Sequence, residues 1–190
     1  MLTETLLISL IVGKIRGGKI KNLINISIDG WFFIILGFII SYLSVFLISR
    51  GNTLLYKGLT YIQIISSLLL IIGLLYKALS FDRIILASGF LLNLIPIALN
   101  NGKMPVYGNA LIKLGLNKQF VLLKDKLVIT HILIDDTSKM KFLSDIIPLR
   151  YLFPKVVSIG DLIIALGIFL IIQKNIKGFN RCSKRELEVK

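Results

Sequence analysis

Long stretches without a charged residue dominate the sequence, and short charged segments separate them. A helix needs about 20 mostly apolar residues to cross the ~30 Å hydrocarbon layer of a membrane. A shorter apolar stretch at the amino terminus would reach only about 20 Å as a helix, which fits a thin span, a re-entrant segment or an interfacial helix; we favour a short span. We predict membrane helices at residues 2–13, 30–49, 58–76, 84–102 and 156–173.

The remaining long segment, residues 103–155, connects the last two predicted spans. Its residues 105–116 have helical spacing of apolar positions, and residues 119–134 fit either a hairpin or a half-buried helix. We therefore predict an all-α integral membrane bundle of about five transmembrane helices, with a membrane-associated loop region between the last two. Residues 1–173 form one membrane domain, and residues 174–190 form a basic tail.

The composition supports a membrane location. Hydrophobic residues make up 55% of the chain, charged residues only 17%, and the mean hydropathy is +0.84. A soluble domain carries about 25% charged residues, and a single core of this size cannot bury so much apolar surface. These values exclude an ordinary soluble globular domain.

The charge is strongly basic, with 23 Lys and Arg against 10 Asp and Glu. Basic residues concentrate in residues 14–27, in the turn at 77–83 and in the tail, which alternation of the spans places on one side. The positive-inside rule makes that side cytoplasmic. The prediction is a multi-pass protein of a bacterial cell membrane with a cytoplasmic carboxyl terminus and an external region 103–155. We expect no nucleic-acid partner, since no nucleic-acid-binding signature accompanies the charge.

Asp161 is the most informative single residue, because it enters near the outer end of the last predicted span. One interpretation is a helix cap, in which Ser158 or Asp161 accepts free backbone N–H groups. The other is a functional acid, because carboxylates within membranes are costly and tend to serve a task. The two interpretations are compatible.

Other polar residues fall on the same predicted face. Asn101 lies at the end of the fourth span, where Gly102 suits a left-handed helix end, and Lys103 follows it. His131 and Asp145 lie in the external region. One histidine with scattered carboxylates makes a poor zinc site, and the calcium-loop pattern is missing. We predict no metal, no cofactor and no catalytic residue.

Within the spans, Asn93 precedes Pro96 by three residues. The favoured interpretation is a kinked helix held to its neighbours through the Asn93 amide, and the alternative is a translocation pathway. The glycine pairs at 30 and 37 and at 160 and 167 are each seven residues apart, so each pair lies on one helix face. We expect these faces to pack closely against other helices.

Several short motifs occur in order: Asn-Gly-Lys-Met-Pro-Val at 101–106, Thr-His at 130–131, Leu-Ser-Asp at 143–145 and Ser-Ile-Gly-Asp at 158–161. With these motifs the chain resembles a family of uncharacterised multi-pass membrane proteins, a domain of unknown function, from clostridia and related Gram-positive bacteria. The resemblance implies a membrane fold and a bacterial origin. It implies no activity and assigns no catalytic residues.

The sequence favours a non-catalytic bacterial membrane protein with a polar pocket on its outer face. The pocket would bind a lipid headgroup, a small polar ligand or a partner membrane protein. An enzyme acting on a lipid or lipid-linked substrate, with His131 and an aspartate as acid and base, is one alternative. A small transporter or transporter subunit is another. The candidate ligand-binding residues are Asn101, Lys103, His131, Asp145, Ser158 and Asp161.

Overall fold

The computed structural model describes residues 1–77, 79–150 and 153–177. Most of these residues are helical. The predicted cytoplasmic tail lies outside the described residues from position 178 onward. The chain divides into two compact units, one made of residues 1–27 and 168–190 and the other of residues 28–167.

The helices follow the predicted apolar stretches, with small shifts at their ends. They are α1 (Leu2–Ile15), α2 (Trp31–Ser49), α3 (Thr53–Lys57), α4 (Leu59–Leu75), α5 (Phe81–Leu99), α6 (Gly108–Lys113), α7 (Asn117–Lys124) and α8 (Ile159–Ile176). Helix α5 begins three residues before its predicted start, because Asp82 lies in its first turn, where a negative charge is favourable. Helix α8 begins at residue 159 instead of 156, because a strand occupies the preceding residues.

Three of the described helices, α2, α5 and α8, are long and apolar enough to cross a membrane. Helix α4 is also apolar but has 17 residues. Helix α1 has 14 residues and would extend about 21 Å.

Glycines allow close helix packing in the second unit, as the sequence predicted. A Cβ atom at Gly73 of α4 would lie 2.8 Å from the carbonyl oxygen of Gly30, next to α2. A Cβ atom at Gly89 of α5 would lie 2.8 Å from the carbonyl oxygen of Gly160 in α8. Real Cβ atoms cannot approach backbone atoms so closely, so only glycine permits these contacts. The backbone of α8 is thereby held directly against that of α5.

Helix α5 ends in a left-handed turn. Asn101 has φ 56° and Gly102 has φ 75°, and the Gly102 N–H donates a 2.9 Å hydrogen bond to the carbonyl oxygen of Ile97. A hydrogen bond of this span that follows a left-handed Asn101 is characteristic of a Schellman motif at a helix end. The predicted left-handed role of Gly102 is confirmed, and Asn101 shares it.

Four short strands lie between α5 and α8, which the all-α prediction did not include: β1 (Met104–Val106), β2 (His131–Leu133), β3 (Ile147–Leu149) and β4 (Lys155–Val157). Strand β1 pairs in parallel with β2, and β3 pairs antiparallel with β4. The Asp145 backbone joins the other edge of β1, since its N–H donates to the Pro105 carbonyl at 3.0 Å and its carbonyl accepts from the Tyr107 N–H at 2.9 Å. Strand β1 therefore has His131 on one side and Asp145 on the other.

The first unit contains α1, a short 3₁₀ helix at Ile20–Asn25 and the second half of α8. The Arg16 guanidinium donates to Gln173 Oε1 at 3.0 Å, and Gln173 Nε2 donates to the Ser9 carbonyl oxygen at 2.7 Å. A turn follows Arg16, with Gly17 at φ 80°. Arg16 thus has a defined partner on α8.

Candidate functional site

Ser158 and Asp161 cap the first turn of α8 reciprocally. Ser158 Oγ accepts the Asp161 N–H at 2.9 Å, and Asp161 Oδ2 accepts the Ser158 N–H at 3.2 Å. This arrangement is a capping box, which satisfies backbone donors that a helix start leaves free. The cap interpretation of the sequence is confirmed.

Asn93 links this cap to α5. Its Nδ2 donates to Asp161 Oδ1 at 2.9 Å, and its Oδ1 accepts the Ser158 hydroxyl proton at 2.7 Å. Both carboxylate oxygens of Asp161 therefore have donors. We call Asn93, Ser158 and Asp161 the α5–α8 junction. Asn93 holds two helices together, which is the interpretation that the sequence favoured.

His131 and Asp145 form a second polar group with a different character. His131 Nε2 lies 3.8 Å from Asp145 Oδ2, beyond hydrogen-bond range. The other ring nitrogen, Nδ1, lies 2.8 Å from Thr130 Oγ1. Asp145 is 8% exposed, and its buried Oδ1 has no hydrogen-bond partner among the described residues. We call His131 and Asp145 the His–Asp pair.

The environment keeps this pair uncharged at neutral pH. Burial, together with the negative charge of Asp161, raises the pKa of Asp145 to about 8. Burial also lowers the pKa of His131, and attraction to Asp161 opposes that change only in part. A carboxylic acid therefore faces a neutral imidazole, and the 3.8 Å approach is not an ion pair at pH 7.

A cavity of about 250 Å³ lies beside both groups. Its lining comes from α2, α4, α5, α8 and strands β1 and β2. Asn93 lies about six residues, or roughly 9 Å, from the carboxyl end of α5, so the cavity extends between the helices. We call it the polar cavity; its lining residues are Ser41, Gln63, Asn93, Ile97, Gly102, Met104, Thr130, His131, Asp145 and Asp161.

A second cavity, of about 240 Å³, is mostly apolar. It adjoins a small core that contains Val106, Leu111 and Leu123. It shares His131 and Asp145 with the polar cavity. We call it the apolar pocket; its lining residues are Val106, Leu111, Gln119, Leu122, Leu123, Val128, His131, Asp145, Lys155 and Val156.

A third and larger cleft, of about 610 Å³, carries most of the local positive charge. Its polar lining includes four lysines, which come from α3, from the turn after α5, and from the end of α7 and the turn that follows it. Lys103 Nζ lies 3.0 Å from the Tyr56 hydroxyl and 5.0 Å from the centre of its ring. We call it the lysine cleft; its charged residues and histidine are Lys57, Lys103, Lys124, Lys126, His131 and Asp135.

The structure divides the sequence-predicted site residues between these places. His131, Asp145 and Asp161 line the polar cavity, and Ser158 is hydrogen-bonded at its edge. Asn101 and Lys103 line the lysine cleft, where His131 joins them. The six residues thus belong to two neighbouring recesses that meet at His131.

Sequence analysis did not assign several lining residues to the site. Gln63 and Ser41 are single polar residues in apolar helices, a signal that also fits ordinary helix packing. Thr130 was visible only as the neighbour of His131. In the sequence, the lysines at 57, 124 and 126 only mark the ends of apolar stretches. No local sequence pattern relates them to Lys103.

Comparison with known proteins places the chain in a family. No curated protein and no solved structure matches it. The model of the Family of unknown function (DUF5317) matches residues 25–173, which include every residue of the three recesses. The chain therefore belongs to this family of unknown function.

Proposed function

We propose that this chain is a multi-pass membrane protein that binds a lipid headgroup in the polar cavity, without catalysis. The observation that carries the proposal is that a mostly apolar pocket and a cavity of mixed polarity meet at the His–Asp pair. The positive-inside pattern of the sequence supports a position of these cavities at the outer face of a bacterial cell membrane as part of this proposal. Helices α1, α2, α4, α5 and α8 are the proposed spans.

The polar cavity suits a headgroup with hydroxyl or amine groups. Gln63 and Thr130 offer neutral hydrogen-bonding groups, and Asp145 Oδ1 is a buried oxygen that lacks a protein partner among the described residues. Leaving such a group unpaired costs about 1–3 kcal/mol. A bound hydroxyl or amine would recover part of that cost.

The adjoining apolar pocket favours a lipid over a small polar ligand. Its side chains are mostly aliphatic, and it opens on the same His–Asp pair. Specific sites commonly combine an apolar lining with a few placed polar groups. A molecule that occupies both cavities needs a polar end and a hydrocarbon end.

Acid–base chemistry by the His–Asp pair is a second candidate. The protonated Asp145 could act as an acid and the neutral imidazole of His131 as a base, and their 3.8 Å separation leaves both close to one bound group. Mass spectrometry of the lipid after incubation with the protein separates the two candidates. Unchanged lipid favours binding alone, and a cleaved or transferred headgroup favours an enzyme.

Lipid binding is tested by native mass spectrometry of the purified chain in detergent, with dioleoylphosphatidylglycerol as one probe and its soluble counterpart, glycerol 3-phosphate, as the other. We expect the lipid to bind more tightly. Leu122→Gln places a polar group in the apolar pocket and should weaken lipid binding roughly tenfold, because less hydrocarbon is then removed from water. Val121→Gln is the matched control, because Val121 is the neighbouring, 50% exposed residue outside the pocket.

Two results would contradict the proposal. One is equal binding of the lipid and of glycerol 3-phosphate. The other is an equal effect of the two glutamine substitutions, which would show that the apolar pocket holds no part of the ligand.

A further inference from the structure

The lysine cleft is the recess that the proposed function leaves unused. Four lysines line it, and Asp135 is the opposing acid. At neutral pH these groups leave a formal charge of +3, with four positive charges against one negative. A recess of this charge favours an anion.

We propose that the lysine cleft binds a phosphate group. This inference rests on the proposed function and names the class of lipid, one whose headgroup is attached through phosphate. Lysine ammonium groups recognise phosphate as point charges without demanding one planar geometry. Here four of them come from three parts of the chain and can approach a tetrahedral anion from more than one side.

Asp135 offsets only one of the four lysine charges, and its carboxylate oxygen Oδ1 is hydrogen-bonded within its own turn. Asp135 Oδ1 accepts the Thr137 N–H at 2.9 Å, the Thr137 hydroxyl at 2.7 Å and the Ser138 hydroxyl at 2.9 Å. None of the hydrogen bonds or ion pairs among the described residues joins Asp135 to one of the four lysines. The lysine charges are therefore available to an added anion.

Tyr56 fixes one of the four charges in place. Its hydroxyl lies 3.0 Å from Lys103 Nζ, and its ring lies 5.0 Å from the same atom. A cation held by a hydrogen bond and by the face of a ring loses less side-chain entropy when an anion arrives. Lys103 is thus preorganised. Lys57 on α3 and Lys124 on α7 are exposed.

The position of the cleft matches the order of groups in a phospholipid. His131 lines the lysine cleft, the polar cavity and the apolar pocket. Leu123 and Val128 line both the cleft and the apolar pocket. A lipid can thus place its phosphate in the cleft, its alcohol group in the polar cavity and hydrocarbon in the apolar pocket. The phosphate is the group that connects the other two.

The test uses the full chain in neutral detergent and three probes: dioleoylphosphatidylglycerol, dioleoylglycerol, which lacks phosphate, and inorganic phosphate. The variant is Lys57→Gln with Lys124→Gln, which removes charges on α3 and α7. Its matched control is Lys113→Gln with Lys118→Gln, two exposed lysines outside the three recesses. Both double variants change the net charge equally, and exposed positions leave the fold intact.

We expect each lysine near an anionic group to contribute about fivefold to the affinity, so the cleft variant should bind phosphatidylglycerol about 25-fold more weakly. The control variant should change it less than about twofold, and neither should alter dioleoylglycerol binding. The cleft effect should shrink as salt is raised from about 50 mM to about 500 mM, because ions screen exposed charges.

The outcomes separate this inference from the proposed function. Equal effects of the two double variants, with phosphatidylglycerol still bound, overturn the phosphate site and leave lipid binding standing. Inorganic phosphate binding that depends on Lys57 and Lys124, without binding of either lipid, supports the phosphate site and overturns lipid binding. Binding of dioleoylglycerol as tight as that of phosphatidylglycerol overturns the phosphate site.

Discussion

Two aspartates lie beside the same polar cavity, and their surroundings differ. Both oxygens of Asp161 accept hydrogen bonds, from Asn93 and from the Ser158 backbone. Asp145 has a buried oxygen without a partner among the described residues and a histidine that is 3.8 Å away. The first carboxylate is satisfied by the fold, whereas the second is not. An incompletely paired buried acid is the better candidate for ligand contact.

The difference arises from the elements that carry the two residues. Asp161 lies in the first turn of α8, where free backbone N–H groups and the helix dipole favour a carboxylate. The Asp145 backbone is committed to β1 through Pro105 and Tyr107. Its side chain thus extends into a recess and finds no backbone donor there. A helix start supplies partners for an acid, and a strand edge does not.

The pH dependence of stability gives the largest expected effect. The pKa of Asp145 is about 8 in the folded chain, against an ordinary value of 3.8. Below pH 3.8 the group is protonated in both states and costs nothing. Between pH 3.8 and about 8 the unfolded chain releases a proton that the folded chain keeps, so the free energy of unfolding falls as pH rises. Above about pH 8 the loss is complete.

Asp145→Asn removes this cost. We expect the variant to be more stable than the parent by up to roughly 4 kcal/mol at pH 7 and equal to it near pH 4. Reversible unfolding in mixed micelles, followed by circular dichroism from about pH 4 to about pH 8, measures the difference. His131 contributes in the opposite direction, since its lowered pKa makes stability rise with pH up to about 6.5 in both proteins.

Asp125→Asn is the control, because Asp125 is exposed and lies outside the three recesses. A stability difference between Asp145→Asn and the parent that stays constant over the whole pH range would contradict the raised pKa. It would also remove the contrast between the two aspartates.

Asp161→Ala should have the opposite effect on stability. The substitution leaves the Asn93 amide and the Ser158 N–H without their acceptor, which costs about 3 kcal/mol for hydrogen bonds to a charged group. A double-mutant cycle with Asn93→Ala should give a coupling energy of about 1–2 kcal/mol, because the two side chains are in contact. Unfolding in the same micelles provides all four values.

The parallel cycle of Asn93→Ala with Asp125→Asn should be additive within about 0.5 kcal/mol, since these residues share no contact. Additivity of Asn93→Ala and Asp161→Ala as well would show that the α5–α8 junction does not stabilise the protein as described.

Substitution of Asn101 should have the smallest effect on stability. It tests whether this polar residue has only a structural role or also binds the ligand. Its φ of 56° disfavours Ala by about 1 kcal/mol, and Gly tolerates it. We expect Asn101→Ala to lower stability by about that amount and Asn101→Gly to leave it unchanged. If both variants bind phosphatidylglycerol as the parent does, Asn101 only ends α5; weaker binding by both would assign it to the ligand.

The sequence predicts the helices well because their signal is local. Charge-free stretches located α2, α4, α5 and α8 to within a few residues, and the position of Ser158 and Asp161 at the start of a span allowed the cap. The glycine faces were also visible, because seven residues make about two helical turns. Each of these features depends on neighbours within one helix.

The site could be predicted only in part, because its contacts are distant in sequence. Three-residue strands are too short to show an alternating pattern, so nothing indicated that β1 would bring His131 and Asp145 together. Lys57 and Lys124 are 67 residues apart in sequence, and only the folded chain brings both to one cleft near the end of α5. Residue types suggested Asp145 and His131, but only the fold shows which acid is left unpaired.

The α5–α8 junction also has a consequence for biogenesis. Ser158 and Asn93 are 65 residues apart, and closing so long a loop carries an entropic cost that later contacts must offset. While the ribosome is still synthesising α8, α5 has no partner for Asn93, and the polar cavity lacks one wall. The polar cavity is therefore complete only after α8 has formed. A chain that stops before α8 lacks Asp161, so Asn93 has no carboxylate to contact and the polar cavity stays open on that side.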